Sequence, residues 1–531
     1  MRIDLIPENA AGTPRRVVRS VFLLGIAVCC LSAQQPAQLF TVTPEVRAAL
    51  DRVSGESMRG HLSFIASDAL EGRNTPSRGL DIASEYIAAQ FRRAGLEPAG
   101  DNGYFQTANF VLADTPMDGF ELSLKTGIET VNIAKDQVSF NIDRALKLTS
   151  SLLKVDYADL AAVAALKPEQ VAGKAIIVEI PDSRRAQGPR RLEMYMARQE
   201  FVSKMTAMNA ALVLTIDRLS ARGTGPVQGR LIDPEDRRER VTRPPSTPVV
   251  TVHDPRAIKL FDEAKLGPTT TELSLKVPAP VEHPVPLRNV IGVLRGSDAV
   301  LKDTCVLLTA HYDHIGMRPE LEGDNIFNGA NDNGSGTVTV IELASALASL
   351  KQRPKRSIVF MTFFGEERGL LGARYYGRHP VFPIGKTVAN INLEHLGRTD
   401  SSEGPQLANA SITGFDYSDV GTIMESAGKL TGIKVYKHEQ NSDSFFDRSD
   451  NQALADKGVP AHTLCTAFVF PDYHGAGDHW DKIDYANMEK VDRMIALSLV
   501  MIADSTTAPK WNEANPRTAR YVKAWRSQHE K

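Results

Sequence analysis

The chain has 531 residues, of which 42% are hydrophobic and 24% are charged. This length is more than one hydrophobic core usually organises, so it predicts a globular protein with two domains. The formal net charge of −2 gives no general attraction to nucleic acid or anionic membranes, and we expect neither as a partner.

The N-terminal segment has the pattern of an export signal. Arg15, Arg16 and Arg19 precede a short apolar run at residues 21–31, and the small residues Ser32 and Ala33 follow. The run is too short to cross a bilayer comfortably. We therefore expect a cleaved signal peptide at 1–33, a secreted or periplasmic protein, and no stable membrane association after cleavage. A retained membrane anchor is the alternative.

Changes in the pattern of helical runs, β-like runs and proline divide the rest of the chain. Residues 34–134 contain helical patterns, one of them at 43–57, and are expected to form the first part of the main domain. From 135 to 285, short β-like runs alternate with helices and proline-bearing loops. This texture predicts an inserted, smaller, β-rich α/β domain.

The remaining chain alternates strands and helices. This alternation over 286–505 predicts a mixed, largely parallel sheet flanked by helices. The predicted strands are 290–294, 306–310, 358–364, 388–393 and 460–466, and the predicted helices are 337–350 and 488–503. Residues 506–531 are expected to form a polar, peripheral C-terminal tail.

Possible metal ligands follow the apolar runs of the main domain. They are His311, Asp332, one of the pair Glu366 and Glu367, Glu394 and His474. Most come directly after a predicted strand, and ligands of open α/β sheets gather at the carboxyl ends of the strands. Two imidazoles and three carboxylates, one of them bridging, can hold a pair of divalent metals. Taken singly, each residue has an ordinary explanation as part of a turn, a strand end or a surface loop.

The adjacent carboxylates Glu366 and Glu367 repel one another and gain nothing for folding. A division of labour explains them: one coordinates a metal and the other acts as general base on metal-activated water.

The residues that follow two of the ligands differ in their expected orientation. Asp313, two residues after His311, points to the same face of an extended chain and is suited to orient that imidazole. His395, next to Glu394, is expected to face away from the site. No nucleophile elbow, phosphate-binding loop or dinucleotide fingerprint occurs in the sequence, which disfavours other chemistries.

These motifs occur in the same order in a known family. They are His-Tyr-Asp-His, Gly-Ala-Asn-Asp-Asn-Gly-Ser-Gly, Gly-Glu-Glu-Arg-Gly-Leu-Leu-Gly and Asp-Tyr-His. The set resembles the co-catalytic zinc aminopeptidases, metallopeptidase family twenty-eight of clan MH, which also includes glutamate carboxypeptidase II and animal glutaminyl cyclases. The insert, through residues 172–178, resembles a protease-associated domain.

The resemblance implies a role for each motif residue. His311 and Glu394 would bind one Zn²⁺, Glu367 and His474 the other, and Asp332 would bridge; other divalent metals are possible. It also implies Glu366 as the general base, Tyr473 as a stabiliser of the oxyanion, and Ser449-Asp450 as part of the site lining. Two positions depart from the family pattern, because Asn331 and Glu394 stand where Asp is usual.

The expected function is that of a di-zinc exopeptidase, an aminopeptidase that hydrolyses N-terminal residues from peptides by metal-activated water. Three alternatives stay open: a carboxypeptidase, a glutaminyl-cyclase-like aminoacyl transferase, and a metal-free binding or receptor homologue. The sequence does not determine the side-chain specificity or the oligomeric state.

Overall fold

The computed structural model describes residues 40–529, except 141, 143, 182–188, 219–224, 227–229, 236–245 and 320. The expected signal peptide at 1–33 lies outside the described residues. By its internal contacts, Val42–Lys531 forms one unit. Within the described part of the chain, no helix combines the length and the apolar character needed to span a membrane.

The larger sheet is mixed, with four parallel strands at its centre. Two central strands, Cys305–His311 and Ser357–Phe363, are buried along their whole length, as continuous apolar runs covered on both faces should be. The expected α/β class is therefore confirmed. In spatial order the described strands are Arg230–Ile232, Phe105–Asp114, Val281–Leu294, Ser357–Phe363, Cys305–His311, Thr387–Glu394, Ala461–Cys465, Asn409–Ile412 and Lys434–Tyr436, with Glu97–Pro98 beside Val281–Leu294.

Helices cover this sheet on both faces. Helix Ser335–Ala348 contacts strand Cys305–His311, whereas Leu307 of the same strand belongs to a core cluster with Tyr376 and Leu454 on other helices. The described helices of this domain are Pro44–Leu50, Gly55–Ile65, Arg78–Arg93, Ser335–Ala348, Leu371–Arg378, Asp419–Thr431, Asn441–Ser444, Asn451–Ala455, Tyr485–Asp504 and Ala519–His529.

The single helix predicted at 43–57 is two helices, Pro44–Leu50 and Gly55–Ile65. Ser54 lies between them with extended backbone angles, and its side chain accepts a hydrogen bond from the amide of Ser57. An N-cap of this kind starts a new helix. The apolar periodicity continues across the break between the two helices, and it therefore predicted a single helix.

A strand predicted at 290–294 is longer than expected and spans Val281–Leu294. Pro284 and Pro286, at the domain boundary expected near residue 285, both lie within this strand. Over that part the strand pairs only with Phe105–Asp114, and its second neighbour joins at Val290. Proline is tolerated where a strand has a free edge, because no partner there needs its missing N–H.

The insert forms a second sheet. The chain enters it by Glu121–Thr126 and leaves by Gly267–Val277, and these two strands pair with each other. The strands of this sheet therefore lie between residues 121 and 277, rather than the 135–285 expected from composition, and within that range Arg230–Ile232 belongs to the larger sheet. In spatial order its strands are Glu129–Asn132, Glu121–Thr126, Gly267–Val277, Leu146–Lys154, Ala175–Glu179, Leu212–Ile216, Val249–Val252, Val138–Phe140 and Gly225–Pro226, and its helices are Leu160–Ala165, Pro168–Val171, Pro189–Ala207 and Pro255–Glu263.

The C-terminal segment is not peripheral, contrary to the expectation of a polar tail. Helix Ala519–His529 follows the main domain, and Trp511, Tyr521 and Val522 are buried in the same core cluster as Phe446. A few large apolar side chains decide the position of this segment, because each buries much more surface than its polar neighbours.

Candidate metal centre

The candidate ligands lie at one edge of the larger sheet. Since the four central strands run parallel, their carboxyl ends meet at that edge. His311 and Glu394 are the last residues of their strands, and Glu366 and Glu367 follow the end of Ser357–Phe363. His474 lies in the loop after Ala461–Cys465.

One group of atoms surrounds the imidazole of His311. Its Nε2 lies 3.4 Å from Oδ1 of Asp332 and 3.4 Å from Oε2 of Glu394. All three residues are buried, and their atoms are close enough together to contact one ion.

A second group surrounds the other oxygen of Asp332. Oδ2 of Asp332 lies 3.1 Å from Nε2 of His474, and the same nitrogen lies 3.2 Å from Oε1 of Glu367. His314 joins this group, with Nδ1 at 2.8 Å from Oε1 of Glu367 and 4.0 Å from Oδ2 of Asp332. The two oxygens of Asp332 thus face different groups, as those of a bridging ligand do.

The spacing of these atoms fits zinc. Zn²⁺ binds imidazole and carboxylate tetrahedrally at about 2.0–2.1 Å, which separates neighbouring ligand atoms by roughly 3.3 Å. The four distances from His311 and His474 lie between 3.1 and 3.4 Å. In addition, both ring nitrogens of His314 and Oε1 of Glu367 are buried without a hydrogen-bond partner among the described residues. Nδ1 of His314 and Oε1 of Glu367 lie 2.8 Å apart, and a cation bound by both atoms would satisfy them.

Residues 289–499 match the model for Peptidase family M28. Over that segment the sequence is similar to members of this family.

Relatives in this family share part of their length with the chain. It is 35% identical over 229 residues to aminopeptidase YwaD of Bacillus subtilis (strain 168), a match that covers 42% of this chain and 46% of the relative. It is 36% identical over 174 residues to a probable zinc metalloprotease of Pyrenophora teres f. teres (strain 0-1), which covers 30% of this chain and 36% of the relative. The matches therefore span less than half of each relative.

A solved structure is similar over a larger part of the chain. It is an aminopeptidase from Aneurinibacillus sp. strain AM-1, with a TM-score of 0.53 and 19% sequence identity. The superposition covers 88% of this chain and 97% of the other. At this identity the likeness shows that the fold is shared.

Two side chains next to the candidate ligands hold ligand residues in position. The carboxylate of Asp478 accepts hydrogen bonds of 3.0 Å from the amides of Asn331 and Asp332. Burial raises the pKa of Asp478 to about 6. Ser449 donates a 2.6 Å hydrogen bond to Oε1 of Glu394, which leaves Oε2 directed towards His311.

The carboxylate of Asp313 contacts both His311 and the residue proposed as general base. Its Oδ1 lies 3.5 Å from Nδ1 of His311 and accepts a 3.1 Å hydrogen bond from the amide of Glu366. Its other oxygen accepts from Oγ1 of Thr75 at 3.1 Å. The carboxylate thus lies beside the imidazole of His311, whose Nδ1 is also 3.1 Å from the carbonyl oxygen of Asp313, and it ties the backbone of Glu366 to the same point.

Burial raises the pKa of Glu366 well above its ordinary value, and the carboxylates of Glu394 and Glu367 add to the rise. The imidazole of His311 acts in the opposite direction. A carboxyl whose pKa is raised towards neutrality is suited to accept and return a proton.

In the neighbouring pair of Glu367 and His474, attraction between opposite charges shifts both pKa values more strongly than burial does. Burial would raise the pKa of Glu367, but His474 lowers it to about 2. Burial would lower the pKa of His474, but Glu367 and Asp332 raise it to about 10. The pKa values of Glu366 and Glu367 are therefore shifted in opposite directions although the two residues are adjacent.

His395 was expected to face away from the site, and this prediction is wrong. Its Nε2 lies 3.6 Å from Oδ1 of Asp332. The strand ends at Glu394, and His395 has a φ of 49°. The alternation of side chains holds only within a strand, so the left-handed backbone turns this imidazole towards the ligands.

Sequence reasoning also missed Arg73. This side chain is fully buried and donates hydrogen bonds of 2.5–3.0 Å to the carbonyl oxygens of Ile65, Tyr312, Asn328 and Gly329. It thereby joins the loop after His311 to the loop before Asp332. The only signal in the sequence is an arginine in the segment Leu-Glu-Gly-Arg, ahead of a helix.

The metal residues open into a cavity of ≈650 Å³, within the range of about 300–1,000 Å³ that is common for small-molecule sites. Tyr473 lines it and stacks on His474 with ring centroids 4.1 Å apart. Arg374 and Arg448 line it as well, together with Tyr195 and Met196 of the insert.

Proposed function

We propose that this chain is a zinc-dependent exopeptidase with two zinc ions, and that it acts as an aminopeptidase. One observation carries the proposal. Two groups of imidazole and carboxylate atoms share Asp332, one through each oxygen, at the spacing that neighbouring zinc ligands have. The similarity to Peptidase family M28 and the names of the relatives support zinc and peptide hydrolysis.

In this proposal His311 and Glu394 would hold one zinc, Glu367 and His474 would hold the other, and Asp332 would be shared between them. His314 and His395 lie close enough to adjust this set. Bound zinc would polarise the scissile carbonyl and make water a stronger nucleophile near neutral pH.

The proton and the developing charge are then handled by protein groups. Glu366 accepts the proton of the attacking water and passes it to the leaving amine. Asp313 keeps Glu366 in place through the amide hydrogen bond. The hydroxyl of Tyr473 donates to the oxyanion that forms on the carbonyl oxygen.

The test is the variant Glu366→Gln, which removes the proton acceptor and keeps the shape. We expect bound zinc to be retained and kcat on an aminoacyl amide to fall about 10²–10⁴-fold. Glu439→Gln, at an exposed position, is the matched control and should be unaffected. Near wild-type kcat in Glu366→Gln with full zinc would refute this role.

Zinc content separates the alternatives. Elemental analysis of the purified protein should give two zinc ions per chain. A single zinc would favour a glutaminyl-cyclase-like enzyme, and no zinc after supplementation would favour a binding or receptor homologue.

A carboxypeptidase is the second candidate, and the guanidinium groups of Arg374 and Arg448 favour it, because arginine suits a C-terminal carboxylate. Peptides with a blocked N-terminus and others with an amidated C-terminus distinguish the two. An aminopeptidase should cleave the amidated set alone, and cleavage of the blocked set alone would establish the carboxypeptidase.

The location of the protein and the nature of the insert also stay proposals. Secretion or export to the periplasm is supported by the basic and apolar pattern before residue 33. N-terminal sequencing of protein recovered outside the cytoplasm should begin after Ala33. We also propose that the insert is a protease-associated domain.

A further inference from the structure

The insert reaches the metal cavity through one helix, Pro189–Ala207. On its inner side, Phe201 and Met205 pack into the core of the insert. Two large apolar residues of the same helix, Tyr195 and Met196, are each 49% exposed. Single exposed apolar side chains are ordinary on protein surfaces, so their exposure alone carries no conclusion.

Their position distinguishes this pair from other exposed apolar residues. Both line the same cavity as His311 and Glu366. By contrast Leu160, on another helix of the insert, is 74% exposed and does not line that cavity. The apolar surface of Tyr195 and Met196 therefore adjoins the place where a substrate must lie.

The main domain also lines this cavity with apolar side chains. Phe445 and Phe468 have ring centroids 5.0 Å apart, and Val469 follows Phe468 along the chain. All three line the cavity. Phe468 is only 5% exposed, so its ring is held by the surrounding protein while an edge faces the cavity.

Apolar residues of two domains thus line one cavity that also contains the metal residues. Pockets that are mostly apolar, with a few polar groups at the reacting end, recognise apolar ligand groups by burying their surface. The occupant that this cavity suits is a peptide whose apolar side chain lies beside the metal residues.

We propose that the insert supplies part of a subsite for an apolar side chain of the substrate, through Tyr195 and Met196, and so determines which peptides are cleaved. This inference rests on the proposed peptidase function. The apolar side chain belongs either to the N-terminal residue of the peptide or to the residue after the scissile bond, and the experiment distinguishes the two.

The test uses the full zinc-loaded chain and the double variant Tyr195→Ala with Met196→Ala. One series of substrates varies the N-terminal residue, Leu or Ala, with a constant leaving group. The other series varies the second residue of dipeptides that begin with Ala. We expect the ratio of kcat/KM for the Leu substrate over the Ala substrate to fall about 10-fold or more in one series. The series that responds identifies the side chain bound.

Two controls separate this effect from damage to the fold. Leu160→Ala, which also truncates an exposed apolar residue of the insert, should leave both ratios unchanged. Calorimetry with free leucine and free alanine gives a readout that does not need turnover: where the N-terminal series responds, the double variant should lose affinity for leucine and keep its affinity for alanine.

The outcomes of this test are distinct. If the wild type hydrolyses both series and the variant keeps both ratios within twofold, the inference is overturned while the proposed function stands. An equal loss for Leu and Ala substrates in both series also overturns it. If the zinc-loaded wild type hydrolyses neither series, the proposed function fails, and the inference fails with it.

Discussion

Replacement of Arg73 by Met tests whether one buried guanidinium holds the metal loops together. Arg73 donates to four carbonyl oxygens, and the carbonyl of Gly329 also accepts from the amide of Gly334. In the variant, the carbonyls of Ile65, Tyr312 and Asn328 would each lose a donor in a buried place. Methionine has a similar length but donates no hydrogen bond.

The magnitude follows from two opposing terms. Each buried acceptor left without a donor costs about 1–3 kcal/mol. Removal of the guanidinium offsets part of this loss, because burial of a charge has a desolvation cost of several kcal/mol. Burial lowers the pKa of Arg73 to about 10, although Asp313, Asp478 and Asp332 oppose it, so the group is charged at neutral pH. Three unsatisfied acceptors cost roughly 3–9 kcal/mol, and after the desolvation offset we expect a net loss of about 3–5 kcal/mol in the free energy of unfolding.

The assay is urea unfolding followed by tryptophan fluorescence at a fixed zinc concentration. Arg295→Met is the matched control, because Arg295 forms an exposed ion pair with Glu97 and such pairs contribute at most about 1 kcal/mol. Arg73→Lys keeps a charge and up to three donors and should fall between Arg73→Met and the wild type. If Arg73→Met costs no more than Arg295→Met, the reasoning about these loops is refuted.

Three further perturbations follow from the same contacts. Ser449→Ala removes the hydrogen bond to Glu394, so zinc affinity measured by chelator competition should fall about 10–100-fold; affinity within twofold of the wild type would contradict this. Tyr473→Phe should lower kcat about 10²-fold at unchanged zinc content, and wild-type kcat would exclude Tyr473 from the reaction. Burial lowers the pKa of His462 to about 4, so protonation favours the unfolded chain, and stability should fall by roughly 3 kcal/mol as pH drops from about 6.5 to about 4. The free energy of unfolding of His462→Gln, measured in urea, should lack this part of the pH dependence. If the variant shows the same pH dependence as the wild type, His462 is not its cause.

The pattern of strand ends was readable from the sequence. Apolar runs that stop at His311 or Glu394 predict buried strands with a polar residue at the carboxyl end, since a strand covered on both faces tolerates few polar side chains. The adjacent carboxylates of Glu366 and Glu367 also predict a functional site, because two neighbouring negative charges at the end of an apolar strand repel one another and do not help folding. These signals can be read from the sequence because they depend only on the residues next to each position.

Other features depend on distant parts of the chain, and the sequence does not show them. Arg73 contacts loops more than 230 residues away along the chain. Its partners are backbone carbonyls, so no local sequence pattern predicts these contacts. His395 faces the ligands because its strand ends one residue earlier, and the insert begins at Glu121 because that strand pairs with Gly267–Val277.

The sequence by itself determined which polar side chains are available for the site. It also determined their order along the chain, at the carboxyl ends of the buried strands. Only the tertiary structure decided which oxygen of Asp332 faces which imidazole, and that Tyr195 of the insert lines the same cavity. The physical reason is that composition and periodicity report burial along one strand or helix, whereas a site is defined by distances between segments, which depend on how the sheets pair and pack.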